Sequence, residues 1–264
     1  MCIILVAIES MPEWPLLLLG NRDEYHARPS VAAEPWRGES DCLGGLDLKA
    51  GGSWLAQRND GRFAAVTNLR SGVPAQAPRS RGALVREFVI GNEAVADFAG
   101  RVLDHIDEYG PFNLVFGDRS GVILIDGSSA TWQRLPAGVH VVGNGPFASA
   151  WPKVERLRTR FRHAIGRGQR DEDSLLALLA DTRQPDDAEL PDTGVGTHLE
   201  RLLAPVFISG DQYGTRASSL VMRHEDGSLF FRERSFGPLA AMLGDVQWQC
   251  LESDGEWQLA EAAA

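Results

Sequence analysis

Cysteine is scarce in this chain, with three in 264 residues. Cys2, Cys42 and Cys250 lie too far apart for a disulfide framework or a metal knuckle. A reducing compartment is the simpler expectation, with the cytoplasm as the default. Positive charge is short as well: 26 Lys and Arg against 36 Asp and Glu leave a net charge of -10. That balance argues against nucleic acid, whose binding draws on a basic surface. Long apolar runs are missing. "CIILVAI" and "PLLLLG" are strand-length and are broken by Glu9, Pro12 and Glu13, so no membrane span is expected. A secretory leader pattern is missing too. No H-E-x-x-H, C-x-x-C, Walker loop or G-x-S-x-G occurs, so those chemistries lack support. One motif does match a pattern: "GNGPFA", Gly143 to Ala148, has the glycine spacing of a dinucleotide fingerprint. That fingerprint needs a second strand ending in an acidic residue about twenty residues on. Here the place holds "GRGQRDEDSL", which reads as a loop and a helix start.

What is present is an ordinary globular composition, 44% hydrophobic and 23% charged, with enough length to bury a substantial core. The first two apolar runs read as a hairpin turning at "ESMPEW". A glycine-rich "GGLDLKAGGSW" follows, then two strands around "NDG" and helices over 81–90 and 93–108. Strands "FNLVFGD", "VILIDG", "TWQRL" and "VHVVGN" come next. "WPKVERLRTRFRHAI" carries Trp151, Val154, Leu157, Phe161 and Ile165 at helical spacing, and "DEDSLLALLADT" reads as a second helix. The chain closes with "PVFIS", a hairpin around "EDG", and an edge strand "DVQWQC". Strands, helices, strands, helices, strands: this order predicts an α+β layered fold with mainly antiparallel sheets. No internal repeat or linker divides it, so a single domain over 1–264 is expected.

The chemistry-bearing residues gather at strand ends. In "GNRDEYHARP" the plain reading of Arg22 and Asp23 is a surface pair in a polar turn. Pairing of the first two strands, however, brings the start of one beside the end of the other, and so Cys2 near Arg22 and Asp23. Position two has a special property: removal of Met1 leaves a free α-amine on Cys2. Such an amine titrates near pH 8, about 7.7–8.0, and can serve as a base where lysine cannot. Thiol and base then share one residue. A neighbouring arginine favours the thiolate, and an aspartate accepting from the amine holds it in place. Asn68 ends "RFAAVTN" and Asn144 follows "VHVVG"; an amide at such a position can donate to an oxyanion or simply suit a turn. Arg216 opens a late strand and suits either a substrate carboxylate or the surface.

Taken in order, "MCII", "GNRDEYHARP", "LGGLDLKAGGSWL", "GRFAAVTNLR", "FNLVFGD", "GNGP…WPKVE" and "YGTRASSLV" resemble the NRDE family. Its eukaryotic members are called transport and Golgi organisation protein 2. That family in turn resembles N-terminal nucleophile hydrolases of the choloylglycine hydrolase and penicillin V acylase type. The resemblance implies a four-layer αββα sandwich and attack on a non-peptide amide without a cofactor. It implies Cys2 as nucleophile, Asn68 and Asn144 near the oxyanion, and Arg216 as a late active-site arginine. Arg22 and Asp23 stand where those enzymes carry "G-R-N-x-D", here written "G-N-R-D-E". Two function classes follow: a cysteine amidohydrolase acting on a linear amide, or a non-catalytic carrier of haem or acyl-coenzyme A. The complete set of Cys2, Arg22, Asp23, Asn68 and Asn144 favours the hydrolase. For the carrier, Arg156, Arg160 and Arg167 would dock haem propionates or coenzyme A phosphates, with Cys2 or His26 as axial donor. The plain reading of that arginine stripe is a solvated helix face.

Overall fold

A computed structural model describes residues 3–72 and 77–260. The chain opens with β1 (Ile3–Met11) and β2 (Trp14–Tyr25), then β3 (Ser30–Trp36), β4 (Glu39–Asp47), β5 (Leu55–Arg58) and β6 (Phe63–Asn68). Helices α1 (Arg81–Ile90) and α2 (Val95–Asp104) follow, then β7 (Phe112–Asp118), β8 (Gly121–Asp126), β9 (Thr131–Arg134) and β10 (Gly138–Val142). After them come α3 (Pro152–Gly166), α4 (Glu172–Ala177) and α5 (Thr197–Leu202). The last strands are β11 (Tyr213–Arg223), β12 (Leu229–Phe236), β13 (Met242–Cys250) and β14 (Gln258–Leu259).

Two sheets result among the described residues, ordered β10-β1-β2-β11-β12-β13-β14 and β3-β4-β5-β6-β7-β8-β9. Every pairing between named strands is antiparallel. The layering follows from the period-two alternation of strand side chains. Ile4, Val6, Leu16 and Leu18 meet Leu43, Leu55, Phe63 and Val115 between the sheets. Their neighbours Ile3, Leu5, Leu17 and Leu19 point the other way, onto Leu157 and Phe161 of α3 and Leu175 of α4. This is why β1 and β2 are apolar at consecutive positions: both of their faces are covered. On the far side, Ala64, Leu114 and Phe116 pack under α1 and α2, where Phe88, Phe98 and Phe116 meet edge to face. The arrangement is the α+β, four-layer αββα sandwich that the element order and the family resemblance implied.

Several local expectations are corrected. The polar run after the second strand is no turn: β2 continues to Tyr25, with Asn21, Arg22 and Asp23 buried. The glycine-rich segment contributes the end of β4. Gly45 is needed there because a Cβ on it would lie 2.1 Å from the Trp54 ring. "PVFIS" is not a strand; it is an irregular buried stretch held by backbone bonds such as Phe207 N–H to the Asp181 carbonyl. The helix expected over 93–108 ends at Asp104, with one 3-10 turn beyond it. The edge strand is β14 rather than β13.

The Gly45 contact predicts a measurable cost. Gly45→Ala should lower stability by about 1–3 kcal/mol, the usual penalty for forcing atoms into a filled interior. Thermal unfolding checks it, and an unchanged midpoint would mean that the Trp54 ring yields freely.

Candidate active site

The site is built around the end of β2. Ile3 pairs with Asn21, so Arg22 and Asp23 extend one and two residues past the described start of β1. Cys2, the expected nucleophile, lies outside the described residues. Burying Asn21 requires partners for its amide, and distant segments supply them. Its Nδ2 donates to the Leu179 and Val206 carbonyls at 2.9 and 2.8 Å, and its Oδ1 accepts from Ser218 Oγ at 2.6 Å. Asn21 therefore anchors the strand to the helical layer, while Arg22 points between the sheets.

Arg22 is only 4% exposed. Its guanidinium lies 4.3 Å from the centre of the Trp54 ring, with Nη2 3.9 Å from Asp47 Oδ2. Among the described residues no acceptor reaches its Nη1. Burial pulls the Arg22 pKa down, against the opposing charges of Glu24 and Asp47. An arginine nonetheless stays protonated in proteins, so a charged N–H group without an acceptor among the described residues faces the place where β1 begins. Asp23 is buried beside it, and its Oδ1 accepts from Thr215 Oγ1 at 2.6 Å. The same hydroxyl accepts from Ile208 N–H at 2.9 Å, which fixes its hydrogen toward the carboxylate.

Arg22, Asp23 and Asn68 line one polar pocket of ≈ 100 Å³ with Trp54, Arg28 and Asp47. The Asn68 side chain, at the end of β6, is exposed. The Asn68 backbone carbonyl accepts from Asn144 Nδ2 at 2.9 Å, so Asn144 stands behind Asn68 with one of its two amide hydrogens committed. Arg216 lies across Arg22, in a second cavity of ≈ 390 Å³ that shares Arg22 and Trp54 and is otherwise lined largely by apolar groups such as Phe236 and Leu243. The β2–β11 register slips between Thr215 and Ala217. Arg216 sits in that bulge, and its Nη1 donates to the carbonyls of Tyr25 and Arg28 at 3.1 and 2.7 Å. The five described candidates are thus gathered at one end of the sandwich.

Two features were not anticipated. Glu233 is 1% exposed, with Oε1 accepting from Ala33 N–H and Oε2 from Ser219 Oγ, both at 2.9 Å. It joins the sheets beside Arg22, and burial pushes its pKa up against those hydrogen bonds and the Arg22 charge. A signal existed: Leu229 and Phe231 face the inter-sheet core, and Glu233 continues that alternation. Asp47 is the second. Burial acts to raise its pKa, but the Arg28 hydrogen bond and charge and the Lys49 and Ala50 N–H groups hold it below the usual carboxylate range. A depressed folded-state pKa adds stability above the unfolded value of about 3.9, lost as pH falls through the folded value. Asp47→Asn should therefore flatten part of the acid limb of stability against pH; denaturant midpoints from pH 6 down to pH 2 check it.

The remaining candidates resolve simply. Arg156 and Arg160 both pair with Asp181, at 2.5 and 2.8 Å, while Arg167 is exposed at the end of α3. His26 Nε2 lies 3.1 Å from the Gly210 carbonyl. Among the described residues, no three His, Cys, Asp or Glu side chains converge as metal ligands, and no helix is long and apolar enough to cross a membrane. Cys42 and Cys250 are buried; burial pushes Cys42 up to about 12 and Cys250 also upward.

Residues 1–238 match the family model for transport and Golgi organisation 2. The chain belongs to this family. The human transport and Golgi organization protein 2 homolog is 32% identical over 257 residues, covering 89% of this chain and 93% of that protein. The Drosophila melanogaster transport and Golgi organization protein 2 is 27% identical over 286 residues, covering 97% and 95%. Among solved structures, a mutant conjugated bile acid hydrolase from Clostridium perfringens superposes with a TM-score of 0.53, covering 100% of this chain and 97% of that one. At 9% identity that likeness concerns the fold, which is the one N-terminal nucleophile hydrolases use.

Proposed function

We propose that this member of the transport and Golgi organisation 2 family is a cofactor-independent amidohydrolase with Cys2 as N-terminal nucleophile. The observation that carries the reading is Arg22: a buried cation whose Nη1 meets no acceptor among the described residues, on the strand whose neighbour begins one residue after Cys2. A buried N–H without an acceptor is costly unless function supplies one, and a thiolate or substrate oxygen is a fitting acceptor. In this mechanism the Cys2 α-amine takes the thiol proton, with Asp23 orienting the amine and Arg22 stabilising the thiolate. Sulfur bonds to the amide carbon, and the carbonyl π pair moves to oxygen, where Asn68 and Asn144 donate. Collapse breaks the C–N bond, and the ammonium returns its proton to the leaving amine. Water then hydrolyses the thioester to the acid and the free thiol. Arg216 holds the Tyr25–Arg28 turn at the rim, and the cavity beyond it suits an apolar substituent of a linear amide.

Intact-protein mass spectrometry tests the reading. The protein purified from the cytoplasm of its expression host should lack Met1, and iodoacetamide should label Cys2 well before Cys42 or Cys250. Retained Met1, or equal labelling of all three thiols under native conditions, would remove the nucleophile. A carrier of haem or acyl-coenzyme A is the second reading. It is favoured by a groove of ≈ 370 Å³ whose lining includes Lys153, Arg156, Arg160 and Arg183 beside Glu155 and Glu189. Calorimetric titration with each ligand addresses it. Because Asp181 already pairs two of those arginines, true docking there should strengthen in Asp181→Asn.

A further inference from the structure

Lys153 stands in the first turn of α3, just after Pro152, and is 3% exposed. Full burial is rare for lysine, and the positive end of a helix dipole is an unfavourable place for a cation. Local helix stability therefore does not account for it. Its Nζ donates to Asn144 Oδ1 at 2.8 Å and to the Leu203 carbonyl at 3.3 Å. Asn144 Nδ2 donates in turn to the Asn68 carbonyl at 2.9 Å, and the Asn144 carbonyl accepts from Arg70 N–H at 2.7 Å. A directed chain thus runs from α3 through the Asn144 amide to the end of β6, where Asn68 lines the polar pocket.

We propose that Lys153 is a positioning residue for the oxyanion side of the site, acting through Asn144 on Asn68. This rests on the amidohydrolase reading. The ammonium draws electron density from the Asn144 carbonyl oxygen and strengthens that amide as a donor, since charged and chained hydrogen bonds are the strong ones. The strengthened donor fixes the Asn68 backbone, and with it the direction of the Asn68 side chain. A purely structural Lys153 would instead tie α3 to the Leu203 turn and leave the chemistry untouched.

Two reagents separate these roles at one atom. p-Nitrophenyl acetate acylates Cys2 through a tetrahedral oxyanion: sulfur bonds to the carbonyl carbon and p-nitrophenolate leaves with the C–O pair. Iodoacetamide alkylates the same sulfur by displacing iodide from saturated carbon, with no oxyanion formed. In the full-length protein, Lys153→Met should slow Cys2 acylation by about 10-fold or more while alkylation stays within about two-fold. Lys153→Arg should recover part of the loss. Asn144→Asp keeps Lys153 paired but removes both the donor to the Asn68 carbonyl and Asn144's own donor to the oxyanion, so its selective loss should be at least as large. Lys153→Gln keeps a neutral donor in place of the ammonium; it should slow acylation selectively and carries the test if Lys153→Met does not fold. Acylation at the wild-type rate in Lys153→Met or Lys153→Gln overturns the proposal, as does a parallel fall of both rates with the unfolding temperature. A wild-type Cys2 that alkylates readily but is never acylated would overturn the amidohydrolase reading itself, and the role of Lys153 with it.

Discussion

Cys2→Ala should leave a folded protein that hydrolyses none of the N-acyl amides accepted by the wild type, with kcat down by at least about 10⁴-fold, as when a nucleophile that acts as one unit with its base is removed. The effect should be this large because no other described group can take over. Cys42 and Cys250 are buried, and burial holds the Cys42 thiol at about 12, so neither offers a thiolate at neutral pH. The fold should tolerate the change, since the described part of β1 is held by β10 on one side and β2 on the other, beginning at Ile3 and Ile4. A companion experiment separates the thiol from the amine. Acetylating the mature N-terminus keeps the sulfur but removes the base, so acylation by a neutral ester should fall steeply near pH 7 and recover as the pH approaches the thiol's own pKa. Hydrolysis that persists in Cys2→Ala would place the chemistry elsewhere in the pocket.

The sequence carried the layered architecture because hairpin order and two-faced apolar strands are local signals. It carried less of the site. "NRDE" reads locally as a polar turn, and nothing near it in the chain shows that Asn21, Arg22 and Asp23 are buried. Their partners are the Leu179 and Val206 carbonyls, Ser218, Thr215 and Trp54, all outside the segment. Polar residues enter an interior when the fold brings such groups to them; only the resemblance to a family reached across that distance. Arg216 was singled out, yet its bulge and its hold on the Tyr25–Arg28 turn depend on a register slip that alternation does not reveal. Glu233 is the reverse case. Its inward position was readable from period two, but a charged residue in a strand is ordinarily assigned to the solvent face.

Asn68→Ala should be the second-largest effect, lowering kcat toward an amide by about 10²–10³, the measured worth of one oxyanion donor. KM should change little, because the donor is engaged only once charge develops on the oxygen. The structure makes this substitution a clean one. Asn68 is exposed, while the carbonyl that Asn144 binds belongs to the backbone and survives in alanine. The β6–β7 pairing of Asn68 with Phe112 is also a backbone feature. Unfolding temperature should therefore stay near the wild type, which makes the kinetic loss interpretable. Asn144→Ala offers the contrast. It removes the acceptor of Lys153 Nζ and the donor to the Asn68 carbonyl together, leaving a buried ammonium with fewer partners, so stability and turnover should fall in step. Turnover in Asn68→Ala equal to the wild type would reduce Asn68 to a strand-end residue and move the oxyanion donors to other groups of the same pocket.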